Sequence, residues 1–146
     1  MDETPERLAA RPSWLLSQLA GRSGRLVFAA FASAGARAYH YRLLAALHEY
    51  GPASQAELGR RCRIDRSDVV TAVNQLVELG QVDRAPDPHH GRRNRVTITE
   101  PGRAQLGRLD TALDQVQDEL LAPLSAADRD TLTTLLGRLL AHHQPD

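Results

Sequence analysis

Apolar residues recur at helical spacing along most of the chain, in stretches punctuated by proline, glycine and capping residues. After Ser13, a good helix cap, Leu16, Leu19, Leu26, Val27 and Phe31 supply apolar faces and predict a helix to about Arg37. Its second half, AAFASAGARA, is rich in small residues, which permits close packing by a neighbour. Leu43, Leu44 and Leu47 predict a helix over 39–50 that Gly51-Pro52 ends. Ser54 with Glu57 forms a capping box for a short third helix, whose Ala56, Leu58 and Cys62 point to a core. Asp65 is a good cap for a fourth, with Val69, Val73 and Leu76 on its buried face and Gly80 at its end. QVDRAP and RVTIT read as strands, with DPHHGRRN as the loop between them. Pro101 then starts a long helix to about Ala122, in which Leu106, Leu109, Leu113, Val116 and Leu120 step by 3, 4, 3, 4 as a heptad seam does. Pro123 ends it, and Ser125 caps a last helix lined by Leu132, Leu135, Leu136, Leu139 and Leu140, fraying from His142. Residues 1–12, with Pro5 and Pro12, read as a loose arm.

The predicted fold is mainly α with a small β-hairpin wing, a winged helix-turn-helix set between N- and C-terminal helices. Such a helix pair can present its second helix to the DNA major groove, and a basic hairpin beside it can reach backbone or minor groove. The face of the fourth helix opposite its core residues carries Ser67, Thr71, Asn74 and Gln75, with Val70 at the margin. These residues are small or polar and can approach base edges. Ser54, Gln55 and Arg66 are candidates for phosphate anchoring. Arg92, Arg93 and Arg95 are candidates for the wing tip, with His90 beside them.

Formal net charge is zero, so the distribution matters more than the total. Residues 60–103 hold nine arginines against six acids, a net of +3, whereas 110–130 hold six acids against Arg129, a net of −5. One surface is therefore suited to phosphate and another is not. All 18 basic residues are arginine, a usage that fits a GC-rich bacterial genome. A single cysteine excludes an intramolecular disulfide, and no apolar run is long enough for a signal-peptide core or a membrane span. A soluble cytoplasmic protein is expected.

Enzyme signatures are missing: there is no P-loop, no G-x-G-x-x-G, no G-x-S-x-G and no metal-ligand motif. Asp110, Asp114 and Asp118 repeat every four residues without an electrophilic partner and read as a solvated face. His89-His90 and His142-His143 are adjacent pairs, and His40 and His48 lie two turns apart. None has the i, i+4 spacing that aims two imidazoles at one ion. No metal and no cofactor are expected.

With DRSDVVTAVNQLVELGQVDR followed by DPHHGRRNRVTITEPG, the chain resembles the MarR family of bacterial transcriptional regulators over almost its whole length. The resemblance implies an obligate homodimer with interlocking helices, a single domain over 1–146, a DNA-binding lobe over 39–100 and dimerisation helices over 13–37 and 101–143. Asp65 to Leu79 would be the recognition helix. Dimerisation would use Leu106, Leu109, Leu113, Val116, Leu120, Leu132, Leu135, Leu136 and Leu139. The family often has an aspartate two residues before the wing arginine, where this chain has His90, a protonatable residue beside DNA. A cavity between dimer helices and DNA-binding lobe would take a small aromatic or phenolic effector, with Trp14, Phe28, Phe31, Arg37, Tyr39 and His40 as candidate residues. Some relatives sense peroxide through a cysteine near the N-terminal helices, whereas Cys62 falls at a core position. The implied function is a ligand-responsive repressor on a pseudo-palindromic operator. The residues also leave open a winged helix used for protein contacts and a non-specific architectural DNA binder without effector.

Overall fold

The first twelve residues are not all loose arm: Glu6–Ala9 form a short helix, α1. The computed structural model describes residues 3–144, and every side chain within them except those of Arg92 and Arg93. The long N-terminal helix, α2, spans Pro12–Ser33. It starts one residue before the expected cap, with Pro12 in its first turn and Arg11 at the cap position without a capping side chain. Proline suits that position because its missing N–H would have no partner there. The helix also ends earlier than expected, and Gly35 at φ +71 turns the chain into α3, Ala38–Tyr50.

Next come a two-residue strand β1 (Ala53–Ser54), α4 (Gln55–Cys62) and α5 (Arg66–Glu78). The capping box of α4 is present in both directions: Glu57 N–H donates to Ser54 Oγ at 3.2 Å, and Ser54 N–H donates to Glu57 Oε2 at 2.9 Å. That backbone donor holds the Glu57 carboxyl below the usual carboxylate range. Asp65 occupies the N-cap position of α5, but its side chain accepts no capping hydrogen bond.

The wing is larger than the hairpin read from sequence. Strands β2 (Val82–Asp87) and β3 (His90–Ile98) pair antiparallel, and β1 adds to the far edge of β3, giving the order β1-β3-β2. The expected loop shrinks to a tight turn, because His90 pairs with Asp87 and Asn94 with Pro86. The β3 residues between His90 and Asn94 therefore have no counterpart on β2, and this bulge hid the pairing from sequence. Helix α6 (Glu100–Leu120) follows, then α7 (Ala126–His143), which includes the histidines expected to fray. Thr99 caps α6 by accepting from Gly102 N–H, and Ser125 caps α7 by accepting from Asp128 N–H.

The core lies between α3, α4, α5, the sheet and the first half of α6. Leu43, Leu44, Leu58, Val73, Leu76, Val96 and Leu109 are fully buried there. A leucine or valine so placed contributes about 1.5–3 kcal/mol. The heptad seam of α6 is divided. Leu106, Leu109 and Val116 are buried within the chain itself, and α6 packs on α2 and α3, so their burial needs no second copy. Buried Gln105 ties α6 to the end of α2 by donating to the Ala34 carbonyl at 2.9 Å. Tyr41 Oη donates to Asp110 at 2.7 Å, and burial followed by that carboxylate pushes the phenol up to about 12. One acid of the four-residue repeat is thus an acceptor for the core's edge. Among the described residues no helix is long and apolar enough to cross a membrane.

Gly102 sits where α6 leaves the sheet, and a Cβ there would overlap the Gln81 carbonyl oxygen and press on Ile98. Gly107, on the same helix, faces open space. Gly102→Ala should destabilise by about 1–3 kcal/mol, the usual cost of overpacking against rigid backbone. Gly107→Ala should be neutral or stabilising by up to about 1 kcal/mol. Urea unfolding of the two variants checks this, and equal stability of the pair would contradict the packing at Gly102.

Candidate nucleic-acid interface

Helix α5 presents its outer face because its inner face is committed. Val69, Ala72, Val73 and Leu76 are buried, and the 3.6-residue period then turns Ser67, Val70, Thr71 and Asn74 outward, where all four are exposed. Thr71 Oγ1 donates back to the Ser67 carbonyl at 3.1 Å, which commits the hydroxyl proton within the helix. Arg66 at the start of α5 is exposed as well. Gln75, expected on the reading face, turns instead toward α3. It is half-buried, and its Oε1 lies 2.7 Å from His40 Nε2. At about 100° per residue from Asn74, Gln75 falls on the flank between the two faces.

The N-terminus of α4 and the wing stand beside this face. Ser54, expected to anchor phosphate, accepts through Oγ and donates through its N–H in the cap, which leaves its hydroxyl proton to donate elsewhere, while Gln55 meets the wing through Arg84. Arg84 was not singled out by sequence reasoning. Its Nη1 donates to Asn74 Oδ1 at 2.7 Å and to Gln55 Oε1 at 3.2 Å, joining β2, α5 and α4. Arg95 is half-buried opposite Ser54 and Ala85, and His90 is exposed at the wing turn. Both line a polar hollow of about 240 Å³ with Ser54, Glu57, Asp87 and His89. Arg92 and Arg93, expected at the wing tip, lie outside the residues whose side chains are described. The turn has its own support: Asp87 Oδ1 accepts the His89 N–H at 2.8 Å, and that bond holds the Asp87 carboxyl below its ordinary range. An aspartate therefore orders the wing from three residues before His90, and its position at the start of a turn was the available signal.

The residues proposed for a small molecule separate into three groups. Phe31 is a core residue, 3% exposed and stacked on Tyr41 at 5.5 Å. Trp14 is half-buried near the start of α2 and lines neither cavity at the α3–α5 junction. Phe28, Arg37, Tyr39 and His40 do come together at that junction. One cavity of about 430 Å³ is lined by Phe28, Ala32, Arg37, His40, Gln75 and Leu79 among others, and Phe28 is 75% exposed at its mouth. A second, of about 290 Å³, is lined by Arg37, Tyr39, His40, Asp68, Thr71 and Gln75. The His40–Gln75 pair belongs to both. His40 Nδ1 accepts the Arg37 N–H at 3.3 Å, so the ring proton sits on Nε2 and is donated to Gln75.

Comparison with known proteins agrees with this architecture. A family model described as the MarR family matches residues 36–93, from the start of α3 into the wing. The structure is similar to that of a probable transcriptional regulator from Pseudomonas aeruginosa, with a TM-score of 0.79 at 34% identity over 91% of this chain and 99% of that one. It is also similar to the PcaV transcriptional regulator from Streptomyces coelicolor, solved with its natural ligand, with a TM-score of 0.78 at 26% identity over 99% of this chain and 100% of that one. The transcriptional repressor NicR of Pseudomonas putida is 31% identical over 66% of this chain and 61% of its own length. The chain spans 52% to 61% of the length of the curated relatives it matches.

Cys62 closes α4 against α3, half-buried, with its thiol donating to the Arg42 carbonyl at 3.4 Å. Burial pushes its pKa up, against a smaller opposing effect of Arg61 and Arg42. The nucleophile in cysteine chemistry is the thiolate, so a raised pKa and limited access both slow reaction. Iodoacetamide labelling at pH 8 should be markedly slower for the folded protein than for its urea-unfolded form. Equal rates would show an accessible thiolate. Among the described residues no group of three or more His, Cys, Asp or Glu is placed to hold a metal ion.

Proposed function

Because the chain belongs to the MarR family of transcriptional regulators, we propose that it binds a pseudo-palindromic operator as a homodimer and acts as a ligand-responsive repressor. Residues 39–100 form its DNA-binding lobe, and 13–37 with 101–143 its dimerisation helices. The observation that carries this reading is the open face of α5, with Ser67, Val70, Thr71 and Asn74 exposed beside the α4 N-terminus and the wing. Two such helices related by a twofold axis enter successive major grooves. Ser67, Val70, Thr71 and Asn74 meet base edges. Ser54, Gln55, Arg66, His90, Arg92, Arg93 and Arg95 meet backbone or minor groove.

The second copy is supported by surfaces that one chain leaves open. No described residue of α7 is buried, and Leu135, Leu136, Leu139 and Leu140 are exposed along it. Leu15, Leu16 and Leu19 of α2 are exposed too. An apolar groove of about 400 Å³ runs between α2, the end of α6 and α7, lined by Leu16, Leu19, Leu120, Leu124, Leu132 and Leu136 among others. Leucine-lined patches of this kind mark association sites. The effector reading is supported by the two cavities at the α3–α5 junction and by the natural ligand of PcaV. The sign of regulation is supported by the likeness to NicR, a repressor.

Sedimentation at micromolar concentration should give a dimer, and Leu136→Glu with Leu139→Glu should give a folded monomer that has lost operator affinity. A wild-type monomer would remove the twofold geometry. DNA binding is tested by anisotropy across a salt series. Affinity should fall steeply with salt as condensed counterions are released. Asn74→Ala should cost about 1–3 kcal/mol on the preferred operator and little on random duplex. Equal losses on both would mean that Asn74 positions the protein without reading bases.

A further inference from the structure

We propose that Arg84 decides which bases Asn74 can read, by drawing the oxygen of its amide inward and turning the amide N–H₂ toward DNA. The inference rests on the DNA-binding reading above.

The placement of Arg84 follows from the sheet. Val82 is buried, and Arg84, two residues on, lies on the same face of β2. Its cross-strand partner Val96 is fully buried on that face. The arginine stem thus starts at the rim of the core, and its guanidinium reaches over α5 and the N-terminus of α4. There Nη1 donates to Asn74 Oδ1 at 2.7 Å and to Gln55 Oε1 at 3.2 Å.

A guanidinium has donors and no acceptor. Both amides must therefore turn their oxygens toward it, and this sets their orientation on chemical grounds. Each amide then presents its N–H₂ group outward. Paired recognition of adenine needs the amide to accept from N6 and donate to N7 together. Asn74 Oδ1 already accepts from a cation, and the hydrogens of an adenine amino group would face that same positive charge. With its N–H₂ outward, Asn74 suits guanine, whose N7 and O6 are both acceptors, better than adenine, which sets an N6 donor beside its N7. Arg84 touches no base in this scheme and acts as a positioning residue.

The test selects binding sites for the full chain from a randomised duplex library. Wild type, Arg84→Ala, Asn74→Ala and the double variant are compared. Arg84 and Asn74 are exposed, so the variants should keep the wild-type thermal melt. The base pair read by Asn74 is the one whose preference flattens in Asn74→Ala. Wild type should prefer a G·C pair there. Arg84→Ala should shift that pair, and no other, from G·C toward A·T by about tenfold, the scale of one paired contact. In the Asn74→Ala background, Arg84→Ala should change no base preference. A wild-type preference for A·T at that pair overturns the proposal. So does an Arg84→Ala variant weakened equally on every sequence with a flatter salt dependence, which would make Arg84 a phosphate contact. If Asn74→Ala flattens no position, Asn74 reads nothing and the proposal falls. If wild type enriches no sequence, the DNA-binding reading itself fails.

Discussion

Burial of Val69, Val73 and Leu76 sets the orientation of α5, and the arrangement around it depends on that orientation. The three side chains pack into a core shared with α3, α4 and β2. Rotating the helix by one residue would exchange Val73 for Asn74 in that core. Burying an unpaired amide costs on the order of 1–3 kcal/mol, and exposing the valine loses a further ~1.5–3 kcal/mol. The helix is held in one rotation by several such positions at once. Its exposed residues are therefore a consequence of its buried ones. The same core positions β2, whose Val82 is buried and whose Arg84 consequently emerges at the rim beside Asn74.

Features whose partners are close in sequence were legible. The Ser54–Glu57 box, the glycine and proline breaks, and the cap at Ser125 all depend on residues within a few positions of one another. Features whose partners are distant were not legible. Strand β1 is two residues long and exists because β3, some forty positions later, offers an edge at Val96 and Arg95. The tip half of the wing was read as loop because unpaired β3 residues break the alternation. The α6 seam shows the limit most clearly. A 3, 4, 3, 4 pattern says that one face is covered but not by which chain. Leu106, Leu109 and Val116 are covered by their own, and the exposed leucines lie on α2 and α7.

The same division runs through the candidate site. The outward set on α5 followed from periodicity, with Gln75 misplaced by one step of the helix. Arg37 and His40 were singled out together and do meet, being three residues apart. Phe31 belonged to the core because its ring finds Tyr41, a packing choice that composition does not encode. Arg84 escaped notice because a single exposed arginine on a short strand carries no pattern. Its meaning lies in two amides at Gln55 and Asn74, and amide orientation is defined only once a partner is in place.

Two adjacent residues of α5 thus face different neighbours. Asn74 is tied to Arg84 of the wing, and Gln75 to His40 of α3 at the edge of two cavities. Because a helix moves as a unit, a displacement of α5 against α3 that lengthens the His40–Gln75 bond also moves Asn74 against the wing. A molecule in those cavities would alter DNA affinity only to the extent that it binds one placement of α5 more tightly than another. With equal affinity for both placements it would shift nothing, however tightly it bound. What matters is therefore not occupancy of the junction but the difference in an occupant's affinity for the two placements of α5.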